Sequence, residues 1–114
     1  FDLLLRSAPS ARVILMSSAA ALGPRAYWGA YAVSKAGIEA MGRAWAAESE
    51  KTKIKINMID PGGTRTGMRA AAFPGEDPLT LPTPEDISPA FVALMRDDCP
   101  HHGELIKARD YIST

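Results

Sequence analysis

Tyr31 and Lys35 stand four residues apart in Tyr31-Ala32-Val33-Ser34-Lys35, a spacing that puts both on one face of a helix. A phenol with an unperturbed pKa of about 10 is a poor acid or base at neutral pH, and a neighbouring ammonium favours its conjugate base, which suits it to proton transfer. The same spacing recurs by chance in many helices, where it is only a surface pair. Ser17-Ser18 lies upstream, with Ser18 thirteen residues before Tyr31. A hydroxyl there either donates to a reacting oxygen or caps a turn. The third group is Pro61-Gly62-Gly63-Thr64-Arg65-Thr66, whose glycines let backbone amides approach an anionic or amide-bearing ligand. An ordinary proline-glycine turn has the same composition.

These residues sit on elements that the hydrophobic pattern predicts. Phe1, Leu3, Leu4 and Leu5 form the apolar end of a helix that Ser7-Ala8-Pro9-Ser10 breaks, because proline disfavours helix in the residue before it. Val13-Ile14-Leu15-Met16 is too short an apolar run for a helix and fits a parallel strand covered on both faces, Arg12 to Ser17. From Gly29 to about Lys51, Ala30, Val33, Gly37, Ala40, Met41, Ala44 and Trp45 recur at helical steps. Glu39 and Arg43 read as an i, i+4 pair on the wetter face of that helix, and the small residues Ala36, Gly37 and Ala40 admit a close partner. Lys53 to Ile59 alternates as a second strand, stopped by Asp60-Pro61-Gly62-Gly63. The proline- and glycine-rich stretch from Pro61 to Pro84 is expected to hold no regular element and to act as a lid between about Thr66 and Pro82. Thr83 caps a helix from Pro84 to Arg96, with Glu85 and Asp86 at its positive end and a bend expected at Pro89. Glu104 to Ala108 is the last strand. The order strand, helix, strand, helix, strand predicts an α/β fold with a parallel sheet and right-handed crossovers.

With these positions in order, the chain resembles the short-chain dehydrogenase/reductase family. A strand ending in Ser18, the Tyr31-x-x-x-Lys35 pair opening a long helix, and the Pro-Gly loop after the next strand match that family's pattern; Thr83-Pro84-Glu85-Asp86 and Gly103 fall where it has its next helix and the glycine before its last strand. The resemblance implies a Rossmann-like doubly wound sheet, of which residues 1–114 are expected to be the C-terminal catalytic half, one partial domain. It implies Tyr31 as the proton donor or acceptor, Ser18 (or its neighbour Ser17) as a hydrogen-bond donor to the substrate oxygen, and Lys35 as support for the tyrosine and a hold on the nicotinamide ribose. Pro61, Gly62, Thr64 and Thr66 would contact NAD or NADP, with the Thr64 backbone facing the carboxamide. The substrate would be a carbonyl compound or its alcohol, against an apolar wall from Leu22, Tyr27, Trp28 and Phe73. The segments around Trp28-Gly29-Ala30-Tyr31 and Met68 to Pro74 are similar to a bacterial oxidoreductase subgroup without an assigned substrate. These residues hold no glycine-rich pyrophosphate turn, so the cofactor-binding N-terminal half is expected to lie outside them. The alternative is a family-derived module that oligomerises or binds without catalysis.

Composition narrows the partners. Thirteen basic and thirteen acidic residues are interspersed along the chain, and 46% of residues are hydrophobic, which fits one modest core and offers no single-sign patch for nucleic acid or an anionic membrane. No apolar run reaches the roughly 18 residues of a membrane span. The lone Cys99 fits a reducing compartment, so the cytoplasm is the expected location. His101-His102 lacks further ligands at metal spacing, and no metal is expected. A homo-oligomer, or pairing with the missing half, is expected to cover the apolar Arg12 to Ser17 strand.

Overall fold

The computed structural model describes residues 1–23 and 25–112. A short helix α1 (Asp2–Ser7) leads into strand β1 (Ala11–Met16), and a long helix α2 (Gly29–Glu48) crosses to β2 (Ile54–Asp60). After a short helix α3 (Gly67–Ala72) come α4 (Pro84–Met95) and β3 (Leu105–Lys107), with 3-10 turns at Ala19–Ala21, Pro78–Thr80 and Ala108–Tyr111. The strands form one parallel sheet in the order β1-β2-β3, Ala11 opposite Ile54, Met16 opposite Ile59, and Met58 opposite Leu105. This is the α/β architecture expected.

Side chains alternating along the strands feed two cores. On one face Ile54, Ile56 and Ala11 pack with Ala46 of α2, joined by Val13, Leu15 and Trp45. On the other, Ile59 packs with Ile87, Ala90 and Leu94 of α4 and with Cys99 and Ala108, joined by Ile14 and Ile106. The sheet is thus covered on both sides, which explains the continuous apolar run of β1. Helix α2 reaches the sheet at Gly42, where a Cβ would lie 2.6 Å from the Met58 sulfur and 3.0 Å from Leu15 Cδ1.

Two sequence expectations are corrected here. Residues 61–84 are not wholly irregular: the Thr66 hydroxyl accepts from the Arg69 amide and starts α3, and Asp77 caps the turn at Pro78–Thr80, so capping side chains nucleate short helices where proline density argues against them. The Glu39–Arg43 pair exists at 3.6 Å, but Glu39 is only 3% exposed and faces the sheet rather than solvent.

The remaining boundaries follow local chemistry. Helix α2 ends at Glu48, three residues early: the Ser49 amide makes the closing bonds to Trp45 and Ala46, and the Thr52 amide then donates to the Ser49 carbonyl in a turn. Helix α4 opens with a capping box between Thr83 and Asp86 and continues through Pro89. Proline cannot donate to the Glu85 carbonyl, and the Ser88 hydroxyl donates to it instead at 2.8 Å. Arg12 donates to the carbonyls of Arg96 and Asp97 beyond the end of α4, a cation where the helix dipole is negative. The short β3 leaves the first part of β2 without a strand partner on the edge away from β1. His102 Nδ1 accepts from the Ile56 amide while its Nε2 meets the Ala46 carbonyl, and the Asn57 amide bridges His101 and Glu104.

Candidate active site

The carboxyl ends of β1 and β2 lie side by side, since Met16 is opposite Ile59. Ser17-Ser18 and Asp60-Pro61-Gly62 therefore leave the sheet at the same end, where open α/β sheets hold their ligands. The first turns of α2 return to that end. Lys35 Nζ donates to the Met16 carbonyl at 3.3 Å and lies 5.6 Å from the centre of the Tyr31 ring. The i, i+4 spacing thus sets a positive charge over the phenol at the tip of β1. Tyr31 is half-buried, and among the described residues its hydroxyl has no hydrogen-bond partner.

The two serines are placed differently. Ser17 is 3% exposed; its amide donates to the Ile59 carbonyl at 2.7 Å and its hydroxyl to Glu39 Oε1 at 2.6 Å. Ser18 is half-buried and extended, and its Oγ accepts from the Ala20 amide at 3.2 Å to start the 3-10 turn. That bond uses the oxygen and leaves the hydroxyl proton available.

The Pro-Gly loop is shaped by Asp60, whose Oδ1 accepts from the Gly62 amide at 2.9 Å. Gly62 has φ +70, and a Cβ there would lie 2.7 Å from Arg109 Nε; left-handed backbone and a close guanidinium both select glycine. Among the described residues, the half-buried amides of Gly63 and Thr64 have no acceptor. Two unpaired donors at a strand-end loop fit the carboxamide or phosphate oxygens of a nicotinamide cofactor. The Thr64 hydroxyl donates to the Gly62 carbonyl at 3.3 Å, and the Thr66 hydroxyl caps α3. Pro61, Gly62, Thr64 and Thr66 thus share one loop at the sheet end that also receives Lys35.

An aromatic and cationic chain ties the downstream loop to this site. The Trp28 ring meets Tyr31 edge-on at 5.7 Å and Phe73 at 5.6 Å. Arg69 lies 3.8 Å and Arg25 5.0 Å from the Phe73 ring centre. Arg69 also forks onto Glu76 with bonds of 2.8 and 2.9 Å, and this hydrogen bonding holds the Glu76 carboxyl below its ordinary value. Arg65 donates to the carbonyls of Pro78 and Leu81 and braces the same loop. Of the four residues expected in an apolar wall, Trp28 and Phe73 meet; Leu22 and Tyr27 are 75% and 105% exposed. Sequence reading missed Arg25, Arg69 and Glu76, because Pro74-Gly75 breaks any helical period between Arg69 and Glu76 and Arg25 meets them only through Phe73. It also misplaced Glu39, whose contact with Ser17 no helical period encodes. Among the described residues, no cluster of three or more His, Cys, Asp or Glu could hold a metal, and no helix is long and apolar enough to cross a membrane.

The chain is similar to known proteins along most of its length. The family model for short chain dehydrogenase matches residues 2–77. The uncharacterized oxidoreductase YciK of Escherichia coli strain K12 is 50% identical over 96 residues, covering 84% of this chain and 37% of that protein. A short chain dehydrogenase from Salmonella enterica superposes with a TM-score of 0.89 at 41% identity, over 94% of this chain and 44% of the other. One from Shigella flexneri, solved in complex with NADP, gives 0.88 at 41% identity, over 94% and 45%. The chain spans less than half the length of each of these relatives.

Proposed function

Given that the chain belongs to the short-chain dehydrogenase family, we propose that the intact protein interconverts a carbonyl compound and its alcohol, with NADP(H) as hydride carrier and Tyr31 as acid/base. The observation that carries this reading is the Lys35 ammonium held over the Tyr31 ring by the Met16 carbonyl, at the sheet end shared by Ser18 and the Pro-Gly loop. Bound NADP(H) supplies the hydride in reduction and accepts it in oxidation. In reduction the Tyr31 hydroxyl delivers its proton to the substrate oxygen, and the Ser18 hydroxyl donates a hydrogen bond to the same atom. In the reverse direction Tyr31 withdraws that proton. Lys35 stabilises the phenolate left behind and binds the nicotinamide ribose.

The unpaired Gly63 and Thr64 amides are suited to hold the carboxamide, with Pro61 and Gly62 shaping the loop and Thr66 closing it. Trp28 and Phe73 form an apolar wall beside Tyr31, which favours a carbonyl carried on an apolar body. The NADP bound in the Shigella relative supports the choice of dinucleotide. The oxidoreductase descriptions of the relatives support an enzyme over a non-catalytic binding module. A cytoplasmic location fits the single buried thiol of Cys99. Titration of the intact protein with NADPH and with NADH, followed by nicotinamide fluorescence, tests the cofactor assignment. Tighter binding of NADPH is expected; no binding of either dinucleotide would overturn it.

A further inference from the structure

Glu39 is a carboxylate 3% exposed between helix and sheet, and among the described residues its polar partners are Ser17 and Arg43. It lies one helical turn beyond Lys35 on the face that carries Tyr31 and Lys35. Its Oε1 accepts the Ser17 hydroxyl at 2.6 Å, the length of a strong hydrogen bond to a carboxylate. Its Oε2 lies 3.6 Å from the guanidinium of Arg43, itself 54% exposed. A buried carboxylate is costly, and an apolar side chain of similar size would fill the site without that cost. What the carboxylate adds is geometric. Lys35 and Glu39, one turn apart, grip the consecutive residues Met16 and Ser17, while the Ser17 amide is held by Ile59 from the neighbouring strand. The tip of β1 is thereby fixed in register against α2, and the next residue is Ser18.

We infer that Glu39 is a positioning residue that acts through Ser17, fixing the turn that presents the Ser18 hydroxyl to the same substrate oxygen as Tyr31. The inference rests on the roles proposed for Ser18 and Tyr31. Without Glu39, the buried Ser17 hydroxyl has lost its acceptor and must turn to find another, and a shift of this segment moves Ser18 relative to Tyr31. Dinucleotide contacts through Lys35 and the Pro-Gly loop are left in place. The loss therefore falls on kcat, not on cofactor affinity.

The test uses the intact protein with NADPH and phenanthrenequinone as an apolar carbonyl probe, beside amide hydrogen exchange read at Ser17 and Ala20. Glu39→Ala is expected to lower kcat by about 10²-fold, the cost of a misplacement on the order of 1 Å, with NADPH affinity unchanged and both amides less protected. Glu39→Gln keeps an acceptor oxygen for Ser17 and is expected to restore most of the rate and the protection. Ser17→Ala removes the hydroxyl alone and reproduces the Glu39→Ala loss, and the double variant is no worse than the weaker single. If Glu39→Ala does not fold, Ser17→Ala and Glu39→Gln carry the comparison. A folded Glu39→Ala or Ser17→Ala protein with the parent kcat and unchanged exchange overturns the inference, as does strict additivity of the two losses. If the parent protein does not turn over the quinone, that result counts against the proposed function alone, and unchanged exchange at Ser17 and Ala20 still overturns the positioning contact.

Discussion

Lys35 places one ammonium where two needs meet, hydrogen-bonded to the Met16 carbonyl and facing the Tyr31 ring. A charge so placed acts on the phenol and on any ligand hydroxyl lying between the helix and the strand tip. Lys35→Ala is therefore expected to lower turnover on the order of 10²–10⁴-fold and to weaken dinucleotide binding with it. Steady-state kinetics with direct binding checks this; a turnover defect with full affinity contradicts the double role. The approach of Lys35 to the Tyr31 ring was legible because it follows a local rule, four residues along a helix. Glu39 was not. Its pairing with Arg43 is a local pattern and was read, but the choice of face depends on where Ser17 of another element ends up, and no helical period encodes that contact.

Helix α2 shows how one element divides its faces. Gly42 meets the sheet with no room for a Cβ, whereas Gly37 has nothing within 4 Å. Gly42→Leu should destabilise the fold by about 1–3 kcal/mol through overpacking, and Gly37→Ala should stabilise the isolated chain by about 1 kcal/mol through helix propensity. Thermal or urea unfolding checks both, and equal effects would show the face assignment to be wrong. The alanine-rich pattern revealed the helix but not which glycine touches the sheet, since both sit among small residues. In the loop that follows, the Arg69–Glu76 pair supplies a pH-dependent clasp. The hydrogen bond from Arg69 lowers the Glu76 carboxyl from its ordinary 4.5. A carboxylate with a depressed folded-state value stabilises above its unfolded value, and the contribution disappears as pH falls through the lowered one. Glu76→Gln should accordingly be less stable than the parent at neutral pH, with the difference shrinking below about pH 4.5. A difference that persists unchanged into acid contradicts the clasp. Proline and glycine density concealed this segment's helix, because its stability comes from the Thr66 cap and this ion pair.

At the scale of the whole molecule, the parallel sheet and the helices on its two faces were legible from apolar run lengths and turn residues. Among the described residues β1 pairs only with β2, so its other edge is open, and Leu3, Leu4 and Val33 are at least 72% exposed. An unpaired apolar edge invites association, and a chain this small buries only about 60–70% of its unfolded surface. The 114 residues taken alone are expected to sediment as a dimer or larger assembly, through edge pairing or the Ala36-Gly37-Ala40 face, and to lack measurable dehydrogenase activity. A stable monomer that binds a nicotinamide dinucleotide tightly would contradict that expectation. The central claim is hydride chemistry completed by the Tyr31 proton, and it is tested most directly by incubating the intact protein with NADPH carrying two deuteriums at the nicotinamide C4 and an apolar aldehyde, whose carbinol carbon keeps a transferred label. The account predicts deuterium at the carbinol carbon of the product, and its loss in Tyr31→Phe while NADPH binding is kept. Product without deuterium, or a Tyr31→Phe protein that transfers the label at the parent rate, would contradict it.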